Sequence, residues 1–473
     1  MFSTITENKT NIFHACLDVA KTATLAIALI LAAVVLPMQE ASADCSPAVN
    51  VIGDAEVVAC GPGTASGYDG NGYDDQLIIV SSSVTLLGTA TGAIGIDLVD
   101  GGGGGGSADD NLIYVFDTSL GAVDSGLVDG TAGDGIYIVG NRNLVGNGGG
   151  NTLGGGTIRG TDDGVHIEGF GNTVDNINDG QAGATASGLI AGGVTANSDG
   201  IYIRGGTVGS PNVINNGVTG AGTAYIVGNG DDGIDGGGFL TINNGNGTSI
   251  GYIEGVIDEG ISYAGSDTLT VNNGLGSTIL GGNQGISLDS AGATANIVNE
   301  GEIIGTYQNG IRMGDGIGGN DNNQTLTLTN DGSVTGFLAG IRAEDCDDCV
   351  LTVTSSTPNG ARGTITGTTN GVDFEDVSGM TASFSDQNIT GTNGDGITIN
   401  DTDSSASDMF TLNLTDTAVL GNDDGIYIYD DDTDVLVTIN LVGNTTVTGT
   451  NGDGIDTSDS DTDYTIINMD GDS

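Results

Sequence analysis

The sequence predicts an all-β fold, a right-handed parallel β-helix with three short strands per coil. Three observations carry that prediction. A short phrase recurs about every 29 residues, strand-like alternation follows each recurrence, and the composition allows a stacked aliphatic core but no core of large rings. The phrase is a polar residue, Gly, then Ile or Val, and its glycines run from Gly135 to Gly454 at spacings of 25 to 36. Self-similarity at such a period is the mark of a solenoid. There are 473 residues, 87 of them Gly, aromatics make up 4% and Trp is absent.

The residue after each repeated glycine forms one expected inward column, from Ile136 and Val165 through Ile261 and Ile286 to Ile455. One full coil is legible in LTVNNGLGSTILGGNQGISLDSAG, residues 269 to 292, with strands expected near 268–272, 277–280 and 285–288. Each is apolar at alternate positions, which fits strands with one buried face. Asn215, Asn243, Asn272, Asn299 and Asn330 each stand two residues before a glycine and are read as equivalent. Ile-Gly or Ile-Thr-Gly, as at Ile304 and Ile365, closes a further strand. The glycines are expected to supply positive φ at tight corners. Beyond residue 62 only Pro211 and Pro358 occur, as strands paired on both sides require.

Three divisions follow. Residues 1–43 read as a signal peptide: the apolar run TATLAIALILAAVVL is too short to span hydrocarbon and is followed by the small-x-small site Ala41-Ser42-Ala43. Residues 44–130 read as an N-terminal cap with irregular early coils, including a glycine loop at 101–106. Residues 131–473 read as regular repeats that stop in the middle of one. Cys16 leaves with the leader. Of the remaining cysteines, Cys45 with Cys60 and Cys346 with Cys349 are expected to form two local disulfides, which export permits. The alternative for Cys346 and Cys349, a redox pair or half a zinc site, is disfavoured by Asp345, Asp347 and Asp348, since acidic neighbours raise a thiol pKa.

The net charge is −54, from 62 acids and 8 bases, and no lysine lies beyond Lys21. Such a chain repels nucleic acid and anionic polymers and attracts cations. Aspartate recurs at one corner of the repeat as Asp134, Asp163, Asp199, Asp232, Asp395, Asp424 and Asp453, each directly before a repeat glycine. Two readings compete for them. They could hold calcium, which takes carboxylate oxygens, or they could cap corner amides, as Asp does in turns. The run GNGGGNTLGG at 146–155 loosely echoes a calcium-binding nonapeptide. No other cofactor is expected.

The leader, the N-x-G-x-I-x-G and G-I repeats, and the shortage of Lys and Cys together resemble the passenger domains of bacterial autotransporters, over about residues 44–473. The resemblance implies export from a Gram-negative bacterium to the cell surface, outer membrane or medium, and a structural or adhesive role toward a surface ligand or a host or matrix component. It also implies a C-terminal barrel as the link to the outer membrane, and this sequence contains no barrel pattern. The enzymatic alternative is a polysaccharide lyase or hydrolase, for which Asp162, Asp163 and His166 in TDDGVHIEG are the best local candidates. No Arg-x-Lys motif and no nucleophile elbow accompany them, so no catalytic residue is assigned.

Overall fold

A computed structural model describes residues 45–48, 57–60, 63–66, 68–69, 77–80, 84–87, 96–99, 111–115, 127–148, 156–177, 188–218, 222–314, 323–356, 362–401, 409–430, 436–457 and 464–470. The leader, the 101–106 loop and most of the nonapeptide-like run lie outside them. The described residues are all strand, turn and bend, and no helix among them is long and apolar enough to cross a membrane.

The described residues form a parallel β-solenoid whose strands fall into three sheets of 16, 14 and 14. Within each sheet, apart from one antiparallel pair at the start of the first, each strand lies beside its equivalents from adjacent coils. The coil read from the sequence has strands Thr268–Asn273, Thr278–Gly281 and Ile286–Leu288, within a residue or two of expectation. We call the sheets that contain them I, II and III. Alternate residues point inward, as in Thr268–Asn273, where Leu269, Val271 and Asn273 are buried and the residues between them only partly so.

The column after the repeated glycines is continuous. Ile136 pairs with Val165, Val165 with Ile201, and the series runs through Ile261, Ile286 and Ile311 to Ile455. From Ile136 to Ile426 its members are buried without measurable exposure, and Ile455 is partly buried. Upstream the register continues to Ile96 and to Tyr68, so the coils begin earlier than the sequence pattern makes plain. Each fully buried Ile contributes about 1.5–3 kcal/mol of apolar transfer. Parallel stacking fills this column with Ile and Val, while the next inward column mixes sizes, from Gly236 and Ala343 to the buried rings of Tyr263 and Phe374.

The repeated glycines do not serve the purpose expected from the sequence. None of those from Gly135 to Gly425 lies at positive φ, a conformation found instead at glycines such as Gly238 and Gly276. They are needed for close approach. A Cβ on Gly260 would lie 2.7 Å from the Gly285 carbonyl oxygen of the next coil and 2.8 Å from Ile279 Cγ2. The corner is too tight between coils for any side chain.

The asparagine pattern is also corrected. The registers equate Asn215, Asn243 and Asn272 with Val298 and Thr329. The true inner column is Asn216, Asn244, Asn273, Asn299 and Asn330, because coils from Asn299 onward carry one more residue before the glycine. These amides are buried and form a ladder: Asn216 Nδ2 donates to Asn244 Oδ1 at 2.9 Å, Asn244 to Asn273 at 2.8 Å, Asn273 to Asn299 at 2.8 Å and Asn299 to Asn330 at 2.9 Å. Asn215, Asn243 and Asn272 make a second ladder on the outer face.

Cys346 and Cys349 form the expected disulfide, with Cα atoms 5.8 Å apart, in the buried floor of a tight loop. Asp345 and Asp348 take positive φ there. Cys45 and Cys60 are direct partners across an antiparallel pair, Cys45–Ala48 against Val57–Cys60, at the edge of sheet I. Their side chains lie outside the described residues.

Candidate functional site

The corner before sheet III carries the predicted aspartates. Asp134, Asp163, Asp199 and Asp232 are buried, at 4–7% exposure, and stack on four successive coils. Glu259, Gln284 and Asn309 continue the column, so Asp395, Asp424 and Asp453 belong to a separate stretch further along, more exposed, where Asn370 leads. The seven aspartates share one corner but not one site.

A backbone bond explains why Asp recurs. The Asp163 amide donates to Asp134 Oδ1 at 3.0 Å, the Asp199 amide to Asp163 Oδ1 at 2.9 Å, the Asp232 amide to Asp199 Oδ1 at 3.1 Å and the Glu259 amide to Asp232 Oδ1 at 2.8 Å. The distal stretch repeats this, Asp424 donating to Asp395 and Asp453 to Asp424. One oxygen of each of these carboxylates thus caps the amide of the next coil, which would otherwise be left without a partner.

The remaining oxygens sit in an expensive environment. Burial, with the charges of Asp163 and Asp235, pushes Asp199 up to about 8. Burial also raises Asp134, to about 6. Asp232 and Glu259 share a hydrogen bond; burial raises both, helped at Asp232 by the charge of Glu259 and at Glu259 by the charge of Asp258, so that the pair holds a proton at neutral pH. Like charges at coil spacing inside a low-dielectric wall cannot all ionise.

His166 stands beside this column. Its Nδ1 lies 2.9 Å from Asp163 Oδ2 and its Nε2 3.6 Å from Glu168. Burial opposes charging the ring, but the Asp163 hydrogen bond and the charges of Asp134 and Asp163, with Glu168 beside Nε2, outweigh it, and its pKa is raised. Tyr137 and Tyr202, its register partners on adjacent coils, lie against its two sides with centroids at 4.8 and 4.3 Å. Arg204 covers Tyr202 at 4.9 Å and binds both oxygens of Asp235 at 2.6 Å.

The sequence grouped Asp162, Asp163 and His166. The structure joins Asp163 to His166 and adds Asp134, Tyr137 and Tyr202, which stand 29 to 36 residues away and become neighbours only through the register. Comparison with family models, curated proteins and solved structures finds no match. The chemistry must therefore be argued from the site itself.

Both Asp163 oxygens are engaged, Oδ1 by the Asp199 amide and Oδ2 by His166, and the His166 ring is packed on both sides. A general acid or base needs a free path to a substrate proton, and these groups turn toward one another. A depression bounded by Asp175, Ile177, Asn215 and Val218 has a volume of about 170 Å³, small against the roughly 300–1,000 Å³ of ligand pockets. Among the described residues, two groups can bring ligand atoms within 4.8 Å of one another for a metal: Asp134, Asp163 and His166, and Asp231, Asp232 and Asp258. The all-oxygen second group suits a hard cation such as calcium, and the first, with its imidazole, a softer one.

Proposed function

We propose that this chain is an exported, non-catalytic β-solenoid that presents a stiff acidic surface outside a Gram-negative cell, as autotransporter passengers do, in a structural or adhesive role. The observation that carries this reading is the commitment of the corner acids to the backbone of neighbouring coils, which gives the most reactive-looking residues a scaffolding duty. The leader pattern and the buried Cys346–Cys349 bridge support the extracellular setting. Fractionation of cells that make the full chain tests it. The protein should appear at the surface or in the medium with Asp44 at its N-terminus, reachable by added protease. Recovery of uncleaved protein from the cytoplasm would overturn the reading.

The Asp163–His166 contact favours a second reading, a polysaccharide lyase or hydrolase. Incubation with polygalacturonate, with and without calcium, would then yield unsaturated products or new reducing ends, lost in His166→Ala. Calcium is the one ion we propose as a partner, as a stabiliser at the corner carboxylates.

A further inference from the structure

We propose that the corner formed by Val256, Ile257, Tyr307 and Phe337, with Asp231 and Asp258 beside it, is a docking site for a basic amphipathic peptide segment of a partner protein. The proposal deepens the adhesive reading and rests on it for its biological setting.

The turn between sheets II and III is polar along much of the solenoid, with Asp, Asn, Gly and Thr at its tips, as in Thr161-Asp162, Thr368-Thr369 and Asn422-Asp423. Over four successive coils it changes character. Val256 and Ile257 are 44% and 58% exposed, Tyr307 is 69% exposed and Phe337 52% exposed. Backbone bonds from Gly282 to Gly255, from Tyr307 to Gly282 and from Leu338 to Gln308 place these turns one on the next. At coil spacing the stripe is about 14 Å long. Gly282, in the coil between Ile257 and Tyr307, has no side chain. A Cβ there would lie 2.6 Å from the Val256 and Ile257 carbonyl oxygens. The place of a side chain is therefore filled by backbone in that coil, and the stripe has an aliphatic part before it and an aromatic part after it.

These apolar groups are not explained by the core, since they face solvent at positions where the same fold uses polar residues. An exposed patch of this kind on a polar surface marks an interaction site. Charge then selects the partner. Asp258 directly follows Ile257, and the Asp231, Asp232 and Asp258 carboxylates come within 4.8 Å of one another. Among the described residues no arginine forms an ion pair with any of the three. A second copy of the chain would bring its own net charge of −54 and, beyond Lys21, no lysine to this edge. A segment with large apolar side chains next to Lys or Arg supplies both an apolar face to cover the exposed stripe and the charge that neutralises the acids.

The test is a titration of the full chain with a fluorescent peptide of leucine and lysine at amphipathic helical spacing, at physiological salt. Ile257→Ser/Phe337→Ser should weaken binding at least about tenfold, and Asp231→Asn/Asp258→Asn at least about fivefold. Far-UV circular dichroism and melting should be unchanged by the first pair, because both side chains lie outside the core. A control peptide of serine and lysine should bind at least about tenfold more weakly than the leucine peptide. Equal binding by the two peptides, binding by the apolar double variant within twofold of the parent, or no binding by the parent would each overturn the proposal. A concentration-dependent dimer of the parent, lost in the apolar double variant, would assign the stripe to a second copy and overturn it likewise. The assay is made in solution, so its outcome is separate from that of the export experiment.

Discussion

Replacing Asp199 by Asn separates what the corner carboxylate does as an acceptor from what it costs as a charge. The side chain is 4% exposed, and its Oδ1 takes the Asp232 amide at 3.1 Å, a bond that an Asn oxygen can keep. Its pKa rises from 3.8 to about 8. Between those values the folded chain holds a proton that the unfolded chain has lost, so native protein binds more protons and stability falls as pH rises. A shift of about four units at about 1.4 kcal/mol each gives an upper bound near 5–6 kcal/mol at pH 8. Relaxation and water at the corner reduce this by roughly half. Asp199→Asn should therefore stabilise the solenoid by about 2–3 kcal/mol at pH 8 and by less than about 1 kcal/mol at pH 5. Thermal melts of both proteins at the two pH values, with a chelator present, read the difference. An equal gain at both pH values, or a loss at pH 8, would refute the argument that an uncompensated buried charge resides there.

Four further outcomes follow from the geometry. Gly260→Ala should destabilise by about 1–3 kcal/mol, although Ala at a negative φ usually stabilises, because the new methyl meets the Gly285 carbonyl; an unchanged denaturant midpoint would contradict the close-approach account. Asn244→Ala should cost about 3 kcal/mol by leaving Asn216 and Thr278 of the neighbouring coils without partners, and native-state hydrogen exchange should locate the loss in those coils. Melting temperature should rise with sodium chloride, and rise further with millimolar calcium at matched ionic strength if the Asp231–Asp232–Asp258 group binds it; calcium acting no better than the matched salt would leave screening alone. Unreduced peptide mapping should show Cys346 linked to Cys349 and Cys45 to Cys60, and a bridge between the two pairs would be incompatible with the strand pairing.

The Ile column was legible because periodicity reports burial directly: a residue that follows the same glycine on every coil has to face the same way. The local disulfide was legible from spacing for the same kind of reason. Other features depend on how coils are placed over one another, and one inserted residue is enough to hide that. Asn299 and Asn272 look equivalent by distance to a glycine, yet the ladder joins Asn299 to Asn273. The stack of Tyr137, His166 and Tyr202 was invisible because its members are separated by unequal repeat lengths. Positive φ was the wrong reason for the repeated glycines, since sequence shows that a side chain is missing without showing whether the backbone or the neighbouring coil requires it. Of the two meanings open for the corner aspartates, the hydrogen bonds supply the amide cap, which uses one oxygen of each carboxylate, and the calcium meaning is the one the melting experiment reads.

The corner bonds run one way. Each amide that is capped belongs to the later coil and each capping carboxylate to the earlier one, and along the parallel sheets a strand's partners come from the adjacent coils. A coil is complete as soon as its immediate neighbour is laid down and does not wait for any distant part of the chain. Free energy is released in small equal steps along the axis instead of in one final collapse. A polypeptide built in this way can grow coil by coil, each finished coil offering its strand edges and corner carboxylates as the template for the next.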